Sequence, residues 1–294
     1  MLNGTTVHLD IYAPTLKNKI STTATEQISS GRTEFDDLQD YDISGDSYTI
    51  VSAKLDISGL KVRYTITDNR FSGFANVQDF NGYVLTFDGF GGARTLHSVT
   101  LQTNKTTLAI DESAFSVTNN KLFVNVDAVA FKYGDSFTLL LGVQTRGTKS
   151  NDRLVGGNGA DELLGRDGND RLRGEGGDDD LLGGGGRDRI SGGGGNDYLN
   201  GGGGGDKLAG GGGSDHFVFA GRFGRDKIVD FDATGAGHDI LDLTSVNGID
   251  NFADLKDNHM VQRTDGVRIK FSDVGTIVLK NVQLDELQHS DFLL

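Results

Sequence analysis

The chain has 294 residues and a formal net charge of −14 at pH 7, with 44 glycines, one proline, no tryptophan and no cysteine. The lack of cysteine excludes disulfide bridges and thiolate metal sites. The negative charge disfavours nucleic acid and anionic membrane surfaces as partners and favours cations. No apolar run has the length of a transmembrane helix or of an N-terminal signal peptide, so we expect neither in this protein.

Residues 1–146 alternate apolar and polar side chains in short runs, a pattern typical of β-strands. Turns rich in Gly, Asn and Asp separate the runs, and the spacing of about ten residues predicts an antiparallel β-sandwich. The predicted strands lie at residues 7–12, 48–57, 62–66, 83–87, 98–101, 107–117, 122–126 and 137–143.

This first half contains no recognisable catalytic motif. The segments 45–47 and 134–136 both read Gly-Asp-Ser, like the nucleophile block of one hydrolase class, but neither forms a glycine-flanked elbow. Its two histidines, His8 and His97, are not in an HExxH arrangement. Turn residues and ordinary strand positions are therefore the favoured interpretations, and we predict a binding module without enzymatic activity.

Five aspartates crowd one loop of the first half: Asp36, Asp37, Asp40, Asp42 and Asp46. Two of their carboxylates could serve glycoside chemistry, which leaves an enzyme as an alternative. Residues 40–46 also follow the first half of an EF-hand loop, but a valine stands at position twelve where a bidentate glutamate is needed. A minor calcium site in this loop is a second alternative.

Residues 147–218 form eight consecutive nine-residue repeats without insertions, and they hold 26 of the 44 glycines. Glycine fills position 1 of every repeat and position 4 of seven, with Ser150 as the exception. Position 6 is always aspartate and position 8 is always Leu, Ile or Phe. A flexible Gly/Asp-rich linker would not keep an apolar residue at every ninth position. A phosphate-binding loop would not carry repeated carboxylates.

This repeat resembles the GGxGxDxUx nonapeptide of the RTX (repeat-in-toxin) calcium-binding proteins. The glycines permit tight turns, and the aspartates supply the hard anionic oxygens that Ca²⁺ prefers. Two nonapeptides complete one coil, so repeat n stacks on repeat n+2, with calcium between their turns. The resemblance implies that main-chain carbonyls complete each coordination shell. The predicted metal-binding residues are Asp152, Asp161, Asp170, Asp179, Asp188, Asp197, Asp206 and Asp215, with Gly156, Gly159, Gly165, Gly168, Gly174, Gly177, Gly183, Gly186, Gly192, Gly195, Gly201, Gly204, Gly210 and Gly213.

Eight repeats give six stacked pairs, so we expect roughly six calcium ions if each takes the usual 6–8 oxygens. Without a cation, the stacked aspartates repel one another and ordering the glycines costs backbone entropy. Calcium binding and folding are therefore expected to be coupled. Extracellular calcium modules bind at about 10⁻⁴–10⁻³ M, which places folding outside the cell.

Residues 219–294 return to ordinary globular patterning and resemble the serralysin-type cap that follows RTX rolls. The segments 215–219, 226–231 and 239–243 carry this resemblance. A solenoid needs a cap because its last coil would otherwise expose its core and an unpaired strand edge. Asp226, Asp230, Asp232 and Asp239 are interpreted as solvated turn carboxylates, with a further calcium site as the alternative.

The last four residues, 291–294, read Asp-Phe-Leu-Leu and resemble the uncleaved C-terminal signal of RTX proteins exported by the type I pathway. The resemblance implies the type I secretion machinery as a partner and an extracellular location, with association with the cell surface as an alternative.

The predicted fold is all-β: an antiparallel β-sandwich (residues 1–146), a calcium-stacked parallel β-roll (147–218) and a small β-rich cap with the secretion signal (219–294). We expect a secreted calcium-binding protein whose sandwich binds a surface or matrix polysaccharide, as an adhesin does. The alternatives are an extracellular polysaccharide- or ester-processing enzyme and a calcium-dependent surface-layer or matrix component. Nucleic acid is not an expected partner.

Overall fold

A computed structural model describes residues 6–12, 24–27, 32–35, 53–58, 61–66, 82–88, 94–102, 110, 112–118, 120–125, 136–235 and 237–294. The chain divides into two compact units, Met1–Val143 and Gln144–Leu294. The acidic loop at residues 36–46, the first Gly-Asp-Ser segment and the first two residues of the second lie outside the described residues.

The first unit is built from β-strands in two groups. The strands are β1 (Thr6–Tyr12), β2 (Ala24–Gln27), β3 (Arg32–Phe35), β4 (Ala53–Ser58), β5 (Lys61–Ile66), β6 (Gly82–Asp88), β7 (Arg94–Leu101), β8 (Phe115–Thr118), β9 (Lys121–Asn125) and β10 (Ser136–Arg146). One antiparallel sheet has the order β2-β1-β6-β9-β8, and the antiparallel strands of the other run β10-β5-β4-β3, with β7 also pairing β10. Each of the eight predicted runs overlaps a strand, whereas β2 and β3 were not predicted.

The described side chains of this unit include an apolar cluster. Phe137 and Leu139 on β10 and Leu122 on β9 are buried, and the rings of Phe115 and Phe137 lie 5.2 Å apart between centroids. Ser136, the serine of the second Gly-Asp-Ser segment, is also buried at the start of β10. His8 lies on β1 and the exposed His97 on β7.

In the second unit the repeats form two parallel sheets. The odd repeats supply β11 (Arg153–Gly157), β13 (Arg171–Gly176), β15 (Arg189–Gly194) and β17 (Lys207–Gly212). The even repeats supply β12 (Glu162–Asp167), β14 (Asp180–Gly186), β16 (Tyr198–Gly204) and β18 (His216–Ala220). Paired residues are 18 positions apart, as Leu172 and Ile190 are, which confirms that repeat n stacks on repeat n+2. The strands continue past position 9 into the first glycines of the next repeat.

The interior of the roll is one row of apolar side chains from each sheet. Every residue at position 8 is buried, from Leu154 at 8% exposure to Phe217 at 0%. Successive side chains of a strand point to opposite faces, so positions 7 and 9 face outward. A single apolar residue per repeat is therefore the whole hydrophobic contribution of this segment.

The cap continues both sheets. It contains β19 (Gly224–Ile228), β20 (Ile240–Ser245), helical turns at Phe252–Asp254 and Leu255–His259, β21 (Met260–Arg263), β22 (Gly266–Phe271), β23 (Gly275–Lys280) and β24 (Phe292–Leu293). β19 extends the sheet of odd repeats and β20 that of even repeats, both in parallel. The core is continuous, since Phe219 packs on Phe223 at 5.1 Å between centroids and Phe223 on Phe271 at 6.1 Å.

The C-terminal residues belong to this fold. Phe292 pairs with Leu241 of β20 and is only 3% exposed. The Asp291 carboxylate accepts a hydrogen bond from the N–H of Gln288 at 2.8 Å. Leu293 and Leu294, by contrast, are 41% and 40% exposed. The residues that resemble an export signal therefore include one core side chain as well as two that face solvent.

Candidate metal centre

The position-6 aspartates form two hydrogen-bonded columns, one beside each sheet. In each column the N–H of one aspartate donates to Oδ1 of the aspartate one coil further on, as Asp188 does to Asp206 at 2.8 Å. The eight bonds of this kind measure 2.7–3.0 Å. This ladder orients all of the carboxylates alike and holds Oδ1 at a fixed place.

The second carboxylate oxygen has no partner from the third repeat onward. Oδ2 is buried and accepts no hydrogen bond in Asp170, Asp179, Asp188, Asp197, Asp206, Asp215 and Asp226. A buried carboxylate oxygen without a partner is strongly unfavourable. Because these seven oxygens occupy equivalent positions in successive coils, they indicate that a cation binds beside each of them.

A main-chain oxygen lies beside the open Oδ2 of Asp170, Asp179, Asp188 and Asp197. A side chain at Gly183 would bring its Cβ within 2.5 Å of Oδ2 of Asp188 and 2.6 Å of the carbonyl oxygen of Gly201. The same two kinds of oxygen would lie within 3.0 Å of a Cβ at each position-1 glycine from Gly147 to Gly192. Carboxylate and carbonyl oxygens together are the ligands that Ca²⁺ takes in proteins. The residues present therefore fit a calcium ion.

Main-chain oxygens are essential to such a site. Within the part of the chain that the structure describes, no three His, Asp or Glu side chains converge as a metal cluster. The position-4 glycines from Gly168 to Gly213 have φ between 100° and 148°, a region that glycine enters at little cost. Arg166 and Glu175 adopt similar backbone angles at position 2, with φ of 81° and 84°.

Burial disfavours the ionised form of these carboxylates. It raises the pKa of Asp179 to about 8, of Asp197 and Asp206 to about 6, and of Asp226 to about 7, while the ladder hydrogen bonds act in the opposite direction. The neighbouring carboxylates of the columns raise these pKa values further. Without a cation, the folded roll therefore favours protonated aspartates.

The first two repeats differ from the others. Oδ2 of Asp152 accepts hydrogen bonds from the N–H of Thr148 at 2.6 Å and from its hydroxyl at 2.9 Å. Oδ2 of Asp161 accepts one from the N–H of Gly157 at 2.5 Å. Both predicted ligands lie in the columns, but local donors already satisfy the oxygen that is open elsewhere.

The columns extend beyond the repeats, which corrects the interpretation of the cap aspartates as solvated. Asp226 and Asp239 are 1% and 3% exposed and accept the ladder bonds from Asp206 and Asp215. Asp230 and Asp232 are exposed as residues, but the Asp230 carboxylate accepts a hydrogen bond from the N–H of Gly210 at 3.1 Å and is therefore not simply solvated. The sequence held a signal for the first pair, because each is followed two residues later by a buried apolar residue, Ile228 or Leu241, as in the repeats.

A second ladder was not predicted. At position 5, the side-chain oxygens of Asn151, Asn169, Asp178 and Asn196 accept main-chain N–H groups of the next coil at 2.7–2.8 Å. The signal is the recurrence of Asn or Asp immediately before the position-6 aspartate. These bonds fix the spacing of successive turns and hence that of the calcium-binding oxygens.

The family model of the RTX calcium-binding nonapeptide repeat matches residues 146–181 and 182–217. Residues 146–217 are RTX calcium-binding repeats. The resemblance seen in the sequence is confirmed, and calcium is the cation that these repeats bind. RTX repeats are typical of secreted extracellular proteins, and no helix among the described residues is long and apolar enough to cross a membrane.

Two solved structures are similar to the RTX half of the chain. The extracellular lipase LipA from Serratia marcescens is 21% identical over 51% of this chain and 40% of the lipase, with a TM-score of 0.28. The AlgE6R3 subunit of the Azotobacter vinelandii mannuronan C5-epimerase is 26% identical over 50% of this chain and 80% of that subunit, with a TM-score of 0.31. The chain spans less than half of the lipase. No curated protein matches it.

Proposed function

We propose that the second unit takes up one calcium ion at each open Oδ2 and folds in doing so, which gives seven ions and not the six counted from the repeats. The observation that carries this proposal is the register of the seven unpartnered Oδ2 atoms. The additional ion relative to the sequence-based count belongs to Asp226, which continues the column of odd repeats into the cap.

The residues of this chain have distinct roles in the proposal. Oδ1 of each aspartate holds the coil before it through the ladder, and Oδ2 supplies charge to the cation. The position-1 glycine leaves the space that the ion needs, because a Cβ there would collide with the ligand oxygens. The bound ion supplies positive charge that turns repulsion within each column into attraction, so binding free energy becomes folding free energy.

The ion count tests this proposal. Metal analysis of the folded protein after removal of free calcium should give seven ions per chain, and Asp226→Asn should give one fewer. Asp257→Asn, which neutralises an exposed aspartate of the cap, is the matched control and should leave seven. A count that Asp226→Asn does not change would contradict the assignment of this site.

Export by the type I secretion machinery is the second part of the proposal. Leu293 and Leu294 are exposed in the folded cap, so changing them should leave its core intact. Leu293→Ser/Leu294→Ser should therefore reduce export while the purified variant still folds on calcium. Wild-type export of this variant would place the signal elsewhere.

For the first unit, we propose an antiparallel β-sandwich that binds a surface or matrix polysaccharide. The 5.2 Å contact between Phe115 and Phe137, whose strands belong to different sheets, supports the sandwich. The lack of a recognisable catalytic motif in the sequence of residues 1–146 favours binding over catalysis. A glycan array beside a polysaccharide depolymerisation screen tests the role. Binding without product formation is expected, whereas depolymerisation would make the chain an enzyme.

A further inference from the structure

The outer face of the odd sheet carries an unbroken column of cations. Position 7 is Arg153, Arg171, Arg189 and Lys207 in the four odd repeats, and Lys227 of β19 continues the series. Each is the direct register partner of the next across parallel strands. Adjacent strands lie about 4.8 Å apart, so the five charges extend over about 19 Å along the roll.

The column itself contains only cations, although the carboxylate of Asp230 lies near Lys207. All five side chains are exposed, and within the described part of the chain none of them forms an ion pair. Like charges placed directly opposite each other on a sheet are destabilising. Position 7 of the even sheet is different, with Glu162, Asp180, Tyr198 and His216. The cations are thus sorted onto one face of a protein whose net charge is −14.

A groove of about 390 Å³ runs beside this column, across strands β11, β13, β15 and β17. Its other side is the position-9 column, where Val155, Ser191 and Ala209 are small. Arg173 is the one charged residue of that column within the groove, and it pairs with Glu175 at 3.2 Å. No aromatic side chain lines the groove. The result is a channel with a cationic side and a side of mostly small residues.

We propose that this channel binds a single extended chain of an acidic polysaccharide. A linear polyanion matches a linear series of cations, and arginine binds carboxylate or sulfate groups through two parallel hydrogen bonds. A pyranose unit of an extended chain advances by a length similar to the strand spacing. Successive sugars therefore meet successive cations.

Other polyanions fit the channel less well. Single-stranded nucleic acid is held by stacking on aromatic side chains, which the groove lacks. An acidic peptide would add along a sheet edge, whereas this column crosses the strands. A membrane surface needs an exposed apolar face to enter the interface, whereas this groove is concave and edged with charge.

This site is separate from the polysaccharide role proposed for the first unit but depends on the calcium-folded roll. The test is calorimetry on the full chain in excess calcium, with oligogalacturonates too short to gel as the probe. Heparin fragments form a second arm that tells carboxylate from sulfate recognition, and neutral maltooligosaccharides form the blank. Affinity should fall as salt is added.

Arg171→Gln/Arg189→Gln should weaken oligosaccharide binding by about tenfold or more, since it removes charge-assisted hydrogen bonds at the centre of the column. Arg187→Gln/Arg222→Gln makes the same charge change at exposed arginines outside the column and should stay within about twofold of wild type. Circular dichroism in calcium shows that each variant folds, which separates failure of this site from failure of the calcium proposal.

Several results would overturn the assignment. One such result is that the wild-type chain binds neither acidic oligosaccharide. Another is that both double variants lose affinity equally, because binding would then depend on the total charge of the protein and not on the column. Unchanged binding by Arg171→Gln/Arg189→Gln would place the site in the first unit. Equal binding of oligonucleotides, polyglutamate or anionic vesicles through the column would reject a polysaccharide as its occupant.

Discussion

Removing one aspartate from the middle of a column should impair calcium-driven folding much more than removing the first one. Asp206 contacts both neighbouring coils, since its Oδ1 accepts the N–H of Asp188 and its own N–H donates to Asp226. Its Oδ2 is open. Asp152 lies at the end of its column, and Thr148 already satisfies its Oδ2. Asp206→Ala therefore interrupts the stack, whereas Asp152→Ala frays one end.

The size of the effect follows from these contacts. Loss of the charged hydrogen bond costs about 1.5–3 kcal/mol, and loss of the calcium-binding oxygen costs about as much again. The total loss of about 3–6 kcal/mol is divided among the seven proposed ions, because all of them bind in the same folding transition. The calcium midpoint should therefore rise about two- to fourfold. For Asp152→Ala, the loss of about 1.5 kcal/mol raises it less than about 1.5-fold.

Far-ultraviolet circular dichroism during a calcium titration measures both midpoints. Asp206→Asn is the control, because its amide oxygen keeps the ladder bond and only the charge is lost. Burial raises the pKa of Asp206 to about 6, so neutralising it should stabilise the calcium-free roll near pH 7, whereas loss of the anionic ligand should remove one calcium ion from the folded protein. Equal midpoints for Asp152→Ala and Asp206→Ala would refute the role of the columns.

Three further predictions follow from the buried carboxylates, the backbone and the C-terminus. Burial raises the pKa of Asp179 to about 8 and of Asp197 to about 6. The calcium-stripped roll is therefore most stable below the ordinary aspartate pKa, and it loses that stability as the pH rises through about 6–8. The β signal of the stripped protein in circular dichroism should be larger near pH 5 than near pH 9. Glu175→Gly should lower the calcium midpoint, because a non-glycine residue at φ 84° is strained by about 1 kcal/mol. Deleting residues 292–294 should lower the melting temperature of the calcium-bound protein, because it removes the buried Phe292, worth about 3–5 kcal/mol.

Each of these predictions has a matched comparison. Ala209→Gly introduces glycine where the backbone does not require it and should raise the calcium midpoint, opposite to Glu175→Gly. Deleting only the exposed Leu294 should leave the melting temperature nearly unchanged. A β signal of stripped protein that is independent of pH would contradict the buried, uncompensated state of the aspartates.

The period of the repeat was enough to predict the roll, because the same residue has the same role in every coil. Position 8 is the core and position 6 is the column, as the structure confirms for Leu172 and Asp170. The sequence also predicted that repeat n stacks on repeat n+2, because one nonapeptide is half of a coil. Strands β2 and β3 were missed because their four-residue sequences, ATEQ and RTEF, do not alternate apolar with polar residues.

The repeat pattern could not predict where the columns of calcium-binding aspartates begin and end. Asp226 and Asp239 take their places in the columns without the glycines that define the motif, and an inserted loop sets their register at 20 and 24 residues instead of 18. That register depends on how the turns of the cap stack on the roll, which a local pattern does not contain. In the first repeat, by contrast, the hydroxyl of Thr148 satisfies the oxygen of Asp152 that would otherwise be open, and this contact is local because the two residues are four positions apart.

Amide hydrogen exchange of the full chain across a calcium titration tests coupled binding and folding most directly. In saturating calcium, the amides of the roll and cap should be protected, and in calcium-stripped protein near pH 7 they should exchange as in an unfolded chain. Protection should appear first near residues 200–230, where the coils are richest in glycine and adjoin the cap, and then spread towards Gly147. A roll that stays equally protected without calcium would contradict the account.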